Sequence, residues 1–342
     1  MKHNTIILNN SYLCDNINYY FSTYNKKIMA VIKNNAYGHG LKEIATLLDK
    51  NPLISYLVVN TLQEGLILRN NNIKKPILML GNIEKYDFFL AYQKNLTISI
   101  NNLKTFFELE KIKYKGKVHI NLNTGMNRLG LNAIYLNKII DSSLDVEGIY
   151  THYKGGNEDL FSIKKQHQLF NDVISKIDYK KYIIHDVSSN SISLLDLKYT
   201  THIRLGLGLY GLNGITKPIL SMKSPIVNVI KINKNESVSY HSSFIAPKDG
   251  YIITIPFGYG DGWYKNVEII NKDLIQAGDM TMNYTMFFSE KYPSLNEVEI
   301  IGKYNKINNI SLVYKISPYE IVTKLSPFIH RIINQKDISY NS

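Results

Sequence analysis

Eight short, apolar, β-prone runs recur between Ile28 and Leu209, with helix-like stretches between them. They are Ile28–Ile32, Ile54–Val59, Pro76–Leu80, Leu96–Ile100, Val118–Leu122, Val146–Tyr150, Tyr182–Val187 and Thr201–Leu209. Strand–helix alternation restricts a chain to a parallel sheet with crossover helices, and eight units in a row fit a closed (β/α)8 barrel better than an open doubly wound sheet. Ile163, Phe170, Val173, Ile174 and Ile177 share one face of a helix predicted over 163–177. Thr61 is a fitting N-cap for a helix through Leu66, Ile67 and Leu68. No GxGxxG follows the first strand, which weighs against a dinucleotide-binding sheet.

After Met222 the texture changes. Ile226–Ile232, Ser237–Phe244, Tyr251–Pro256 and Val298–Ile301 are short β-like runs, with turn signals at 233–235 and 247–250. The expected architecture is therefore α/β: a (β/α)8 TIM-type barrel over residues 1–220, then a smaller, mostly-β C-terminal domain over 221–342. The strand-like Thr5–Leu8 near the N-terminus is available to pair with that second domain.

A chain of 342 residues with 44% apolar content has ample material for a large core. Its single cysteine, Cys14, excludes an intrachain disulfide and suits a reducing compartment. The apolar run in the first ten residues is too short for a signal peptide, and no stretch reaches the ~18 apolar residues of a membrane span. A cytoplasmic protein with no membrane association is the expectation. The formal charge of +12 is spread along the chain, in no basic block, so a nucleic-acid partner is not expected. Only four of the 40 basic residues are arginine: Arg69, Arg128, Arg204 and Arg331. Where lysine serves almost everywhere, a retained arginine is a candidate for work that needs a planar, permanently charged fork.

Barrel enzymes carry their chemistry at the C-terminal ends of the strands. Lys33 ends the first predicted strand in AVIKNNAYGHG, Arg128 follows the fifth in NTGMNRLG, and His152 follows the sixth in GIYTHY. Ser188 and Ser189 follow the seventh, and Arg204 and Gly206 lie in the eighth. A lysine at a buried strand mouth either snorkels into water or, with its pKa lowered, forms an imine with an aldehyde. His152 alone reads as a satisfied histidine and the serines as a helix cap. Their joint placement on one rim instead suits an anionic cofactor, with Ser189, the amide near Gly206 and Tyr37 forming a phosphate cup.

AVIKNNAYGHG resembles the pyridoxal-phosphate lysine signature of bacterial alanine racemases. NTGMNRLG, GIYTHY, HDVSSN, RLGLGLYG, SVSYHSSF, IPFGYGDG and SPYEIVTKLSP resemble that family's blocks in the family's order, along nearly the whole chain. The resemblance implies fold type III, a pyridoxal 5'-phosphate cofactor, no metal, and a homodimer whose two subunits share each active site. It implies that Lys33 holds the cofactor and acts as one base, and that Tyr240, from the second subunit, is the opposing base. Arg204 would donate to the pyridine nitrogen. Tyr37, Ser189, Gly206 and Tyr319 would hold the phosphate, and His152 would support Tyr240 and Arg204. Arg128 and Met282 would meet the amino-acid substrate. The implied reaction is interconversion of L- and D-alanine, supplying D-alanine for peptidoglycan.

Several positions depart from the family pattern. Asn121 stands where many members carry a carbamylated lysine, so that another anion would have to orient Arg128. Ser188 replaces the usual Asn, Leu205 a common proline, His241 a usual glycine and Asn283 an acid, and the segment between Trp263 and Gly278 is short. A serine or broad-specificity racemase and a non-catalytic cofactor-binding homeostasis protein are the alternatives. The second is typically barrel-only. A related decarboxylase is a weaker one, since no cysteine lies in the C-terminal half.

Overall fold

This computed structural model describes residues 3–154 and 159–334. Strand β1 (Thr5–Asn9) comes first. Eight strands follow: β2 (Lys27–Val31), β3 (Ile54–Val59), β4 (Ile77–Met79), β5 (Leu96–Ile100), β6 (Lys117–Leu122), β7 (Asp145–Thr151), β8 (Ile183–His185) and β9 (His202–Leu205). They form one parallel sheet in the order β8-β7-β6-β5-β4-β3-β2-β9. The ends of that order approach through irregular bonds: Arg204 N donates to the Val187 carbonyl (3.1 Å), Thr201 N to the Ile184 carbonyl (2.9 Å), and Ser188 bridges Arg204. The sheet is thus a nearly closed eight-stranded barrel with helices. Its strands are buried along almost their whole length, β5 at every residue, because helices and barrel core cover both faces.

The helices begin where short polar side chains satisfy the first free amides. Thr61 caps Leu62–Asn70 in a full capping box with Glu64, and Asn102 caps Leu103–Lys111 through Thr105 N at 2.8 Å. The helix predicted over 163–177 runs instead over Leu160–Ile174, with Ile163, Phe170 and Ile174 buried.

The remaining strands are β10 (Leu220–Pro225), β11 (Asn228–Ile232), β12 (Ser237–Val238), β13 (Phe244–Ile245), β14 (Gly250–Ile255), β15 (Ile275–Gln276), β16 (Thr285–Ser289), β17 (Glu297–Ile301) and β18 (His330–Asn334). One sheet has the order β17-β10-β1-β18, a second β11-β14-β16-β15, and β12 pairs with β13. The first strand of the chain pairs antiparallel with β10 and parallel with β18. The core around the second sheet is Ile232, Ala246, Ile252, Ala277 and Phe288.

The chain divides into two compact units. The barrel unit is Asp15–Ala36 with Ile44–Leu209; the β unit takes the described residues up to Cys14, Tyr37–Glu43, and those from Tyr210 onward. Three strand expectations need correction. Thr201–Leu209 is a strand only to Leu205, since the two glycines after it start a helical turn at Leu207–Tyr210. Ser237–Phe244 is not continuous, since a 3-10 turn at Tyr240–Ser242 interrupts it. Ile226–Ile232 is a strand only from Asn228, since β10 ends just before it at Pro225, a residue with no amide to donate.

Two of the four arginines are structural. Arg69 donates to the carbonyls of Lys94, Ile73, Lys75 and Asn95, all at 2.7–2.9 Å. Arg331 donates to those of Pro327, Ile329, Gly38 and Ser326. A lysine ammonium has three donors on one point and cannot make four diverging bonds.

Candidate active site

In the barrel unit β2 delivers Lys33 into an unusual turn. Asn34, Asn35, Ala36 and Tyr37 all take left-handed backbone angles, with φ of 51–54°. Asparagine tolerates this region; alanine and tyrosine each give up about 1–2 kcal/mol. The Glu64 carboxylate holds the turn, accepting from Asn34 N at 2.6 Å with one oxygen and from Asn60 N (2.9 Å) and Thr61 N (3.2 Å) with the other. The same glutamate therefore caps one helix and fixes the loop that carries the lysine. Burial lowers the Lys33 pKa, and Arg128 and Arg204 lower it further against the opposing pull of Glu64.

Arg204, from β9, is buried and fixed on several sides. Its Nη1 donates to His185 Nδ1 at 2.8 Å and to the His185 carbonyl, and its Nη2 donates to the Thr151 carbonyl at 2.7 Å and the Asp186 carbonyl at 3.4 Å. Its guanidinium lies 5.4 Å over the Tyr150 ring. Among the described residues, no hydrogen bond runs from Nε, which leaves one donor for a ligand. His152, just past β7, keeps part of its surface exposed. Desolvation by the surrounding protein, with Arg204, Arg128 and Lys33 close by, brings its pKa down to about 3. Four of the predicted groups thus share one electrostatic neighbourhood.

The phosphate candidates after β8 and β9 also meet. Ser189 Oγ accepts from Gly206 N at 3.2 Å and Gly208 N at 3.0 Å, so the hydroxyl proton is free to turn toward an anion. Arg128 is exposed in a loop closed by Asn123 N to Leu131 O (2.9 Å) and Leu131 N to Asn121 O (2.8 Å). Asn121 does not reach it: its amide donates to Asn101 Oδ1 at 2.8 Å.

The β unit holds the other predicted residues. Tyr37 is largely enclosed, its ring 5.2 Å from that of Tyr210, and burial, aided by Tyr319, raises its hydroxyl to a pKa of about 12. The next residue, Gly38, has φ +80°, and a Cβ there would lie 1.8 Å from the Val322 carbonyl, so glycine is required. Tyr240 is 71% exposed on its 3-10 turn, beside an open groove of roughly 670 Å³ lined also by Ser239, Thr281, Tyr284 and Met286. Met282 is exposed, and its carbonyl accepts from Gly260 N at 2.9 Å. A Cβ on Gly258 would come within 2.3 Å of that carbonyl, which explains the glycine of IPFGYGDG.

Sequence reading passed over Glu64, His185 and His119. The first had a visible signal, the Thr61-x-x-Glu64 capping box. The histidines had none, since only the barrel register brings them to Arg204.

The family model for the alanine racemase N-terminal domain matches residues 11–214, and the model for its C-terminal domain matches 219–333. The chain belongs to the alanine racemase family. A relative, the alanine racemase of Streptococcus pyogenes, is 33% identical over 90% of this chain and 91% of its own length. The crystal structure of alanine racemase from Oenococcus oeni superposes with a TM-score of 0.85 at 25% identity, covering 97% of this chain and 99% of its own. A histidine racemase from Leuconostoc mesenteroides shares the fold, with a TM-score of 0.87 at 24% identity over 98% of each chain. Membership in this family makes the protein an isomerase. Among the described residues no helix is long and apolar enough to cross a membrane.

Proposed function

We propose that this enzyme interconverts L- and D-alanine with pyridoxal 5'-phosphate, using Lys33 and Tyr240 as bases on opposite faces of the substrate. The observation that carries the reading is the Lys33 amine, desolvated and crowded by Arg128 and Arg204 at the mouth of a barrel strand.

The donor set fits the cofactor. Lys33, Arg128 and Arg204 are cations that repel one another, and an anion among them relieves that repulsion. When bound, pyridoxal 5'-phosphate supplies an aldehyde for the lysine and a π-system that takes up charge at the substrate α-carbon. Lys33 would hold it, Ser189, Gly206, Tyr37 and Tyr319 would take the phosphate, and Arg204 would donate to the ring nitrogen. A guanidinium hardly yields its proton, so Arg204 supports the ring without protonating it. An amine of lowered pKa is neutral to a greater extent at a given pH than an ordinary lysine, and so better able to accept the α-proton. Tyr240 Oη exchanges a proton with the other face, so two bases of opposite hand invert the centre.

Tyr240 stands exposed in the β unit, which supports the expectation that a second copy brings it to the site. His152 would support Tyr240 and Arg204, and Arg128 and Met282 would contact the substrate carboxylate region. The family's C-terminal domain in this chain argues against the barrel-only homeostasis reading. We place the enzyme in the cytoplasm, supplying D-alanine to the cell wall.

The test is an exchange assay with a panel of amino acids including alanine, serine and histidine. Wild-type protein equilibrates L- with D-alanine and exchanges the α-proton with solvent deuterium. Cofactor binding without exchange on any amino acid would favour the homeostasis reading. Mixed dimers of Lys33→Ala and Tyr240→Phe protomers test the shared site: random pairing restores about a quarter of wild-type activity, while each variant alone has almost none.

A further inference from the structure

Behind Arg204 the barrel unit holds a line of buried polar groups that the proposed mechanism does not use. His185 Nδ1 faces Arg204 Nη1 at 2.8 Å, His185 Nε2 faces His119 Nδ1 at 2.8 Å, and His119 Nε2 faces Glu147 Oε2 at 3.4 Å. His119 and His185 are fully buried. Glu147 also accepts from Tyr56 Oη and Lys117 Nζ.

The protons along this line are fixed by valence. Guanidinium nitrogens only donate, so His185 Nδ1 must be the bare, accepting nitrogen. A neutral His185 then carries its proton on Nε2 and donates it to His119 Nδ1. His119 in turn carries its proton on Nε2 and donates to Glu147. Burial keeps both imidazoles neutral, pushing His185 well down and His119 down. On Glu147, burial raises the pKa, but hydrogen bonds from His119, Lys117 and Tyr56 outweigh it and leave the group near 2, an anion. The line therefore joins a buried cation to a carboxylate through two neutral rings, every donor meeting an acceptor.

The close packing is built for it. A Cβ on Gly148, next to Glu147 on β7, would lie 2.6 Å from His119 Nδ1 and Cε1, so only glycine lets that ring reach its place. Tyr150 stacks on His185 with centroids 4.7 Å apart and planes at 14°, fixing the ring's orientation.

We propose that Glu147 is a positioning residue for Arg204, acting through His119 and His185 as the acceptor that ends the line, while the carboxylate that faces the guanidinium's charge is Asp186. It holds Arg204 in one orientation through His185, leaving Nε as the donor that would serve the cofactor ring. This rests on the reading of Arg204 given above.

The experiment has two arms. In the cofactor-free protein, ¹⁵N NMR of labelled imidazoles is expected to show His119 and His185 each protonated at Nε2 alone. A proton on Nδ1 of either ring, or on both nitrogens of one, overturns the line whatever the enzyme does. In the cofactor-loaded enzyme, Glu147→Gln is expected to lower kcat for racemisation about tenfold, as for loss of one hydrogen bond to a charged group, with KM unchanged, and to shift the cofactor's visible band. His119→Leu is expected to do the same. His119→Gln, which can accept at Oε1 and donate from Nε2, is expected to restore most of the activity. In the His119→Leu background, adding Glu147→Gln is expected to change nothing further. Additive effects, or Leu and Gln behaving alike at position 119, make Glu147 merely structural and overturn the inference. Wild-type racemisation with α-proton exchange would still stand, so failure here is distinct from failure of the proposed function.

Discussion

Arg204 in the barrel unit and Tyr240 in the β unit are held in opposite ways. Four bonds to three residues and a stacked ring network fix Arg204, and its side chain is almost wholly buried. Tyr240 is 71% exposed, and among the described residues its hydroxyl has no hydrogen bond. Its neighbours are strained rather than packed: Ser239 has φ 71° and ψ 179°, His241 φ 58° and Ser242 φ 51°. A barrel supplies its own surroundings at each strand end, because the next strand and loop are always beside it. A turn between two two-residue strands has no such neighbour in its own sheet, so the setting of Tyr240 has to come from outside it. In the proposed enzyme that setting is the partner's site.

The sharpest way to break this contrast is Lys33→Ala. It removes both the covalent anchor and one base, and we expect racemisation to fall at least about 10³-fold. The visible band of the lysine-bound cofactor should vanish with it. A band of unchanged intensity would mean that another amine holds the cofactor and that the barrel rim has been misassigned.

Tyr240→Phe comes next. With no packing to disturb around an exposed ring, the fold should be unaffected, and the loss should be chemical. Interconversion should fall about 10²-fold or more. Lys33 should still exchange the α-proton of one enantiomer with solvent, without inverting it. Equal loss of exchange from both enantiomers would contradict the division of labour between the two residues.

How much of this contrast was legible in the chain follows from the same physics. Lys33, Arg128, His152, Ser189 and Arg204 could be placed because strand ends are marked by apolar runs meeting Asn, Gly or Ser. The rarity of arginine singled out four residues, yet could not separate Arg204 from Arg69, whose fork closes on main-chain carbonyls. Glu147 and His119 were invisible, because their partners lie on strands 28 to 66 residues away. Tyr240 was named by resemblance alone. Its run read as a continuous strand, since Val, Tyr and Phe are β-prone and nothing in their spacing reveals a left-handed turn.

A smaller effect separates the units by pH. His202 in β9 is held down to about 4, mainly by burial and then by Lys27, from an ordinary value of 6.5. Between those values the unfolded chain binds a proton at His202 that the fold does not, and His152, His119 and His185, also held down, add to the same loss, so the barrel loses stability as pH falls from 6.5 toward 4. Glu147, near 2 in the fold, extends the loss below 4.5, where the unfolded carboxylate takes up its proton first. Chemical denaturation of cofactor-free protein across pH 4–8 should show this slope, and His202→Asn should flatten its upper part. An unchanged slope would mean that His202 is already protonated in the fold.

The smallest expected effect bears on the strain beside Tyr240. The Ser239 backbone lies in a region that essentially only glycine occupies, at a cost of order 1–3 kcal/mol. Its side chain offers little in return, a single bond from Oγ to the Asp279 carbonyl at 3.2 Å. Ser239→Gly should therefore stabilise the β unit by about 1 kcal/mol, the relieved strain less the lost bond and the entropy glycine adds to the unfolded chain. If the strain serves only to project Tyr240, the stabilised variant should keep the tyrosine's reach and racemise at the wild-type rate. If it holds the turn rigid for the incoming substrate, the same substitution should raise stability and lower kcat together. Denaturant midpoint and kcat measured on one preparation separate the two, because rigidity and stability are then moved in opposite directions by a single atom group.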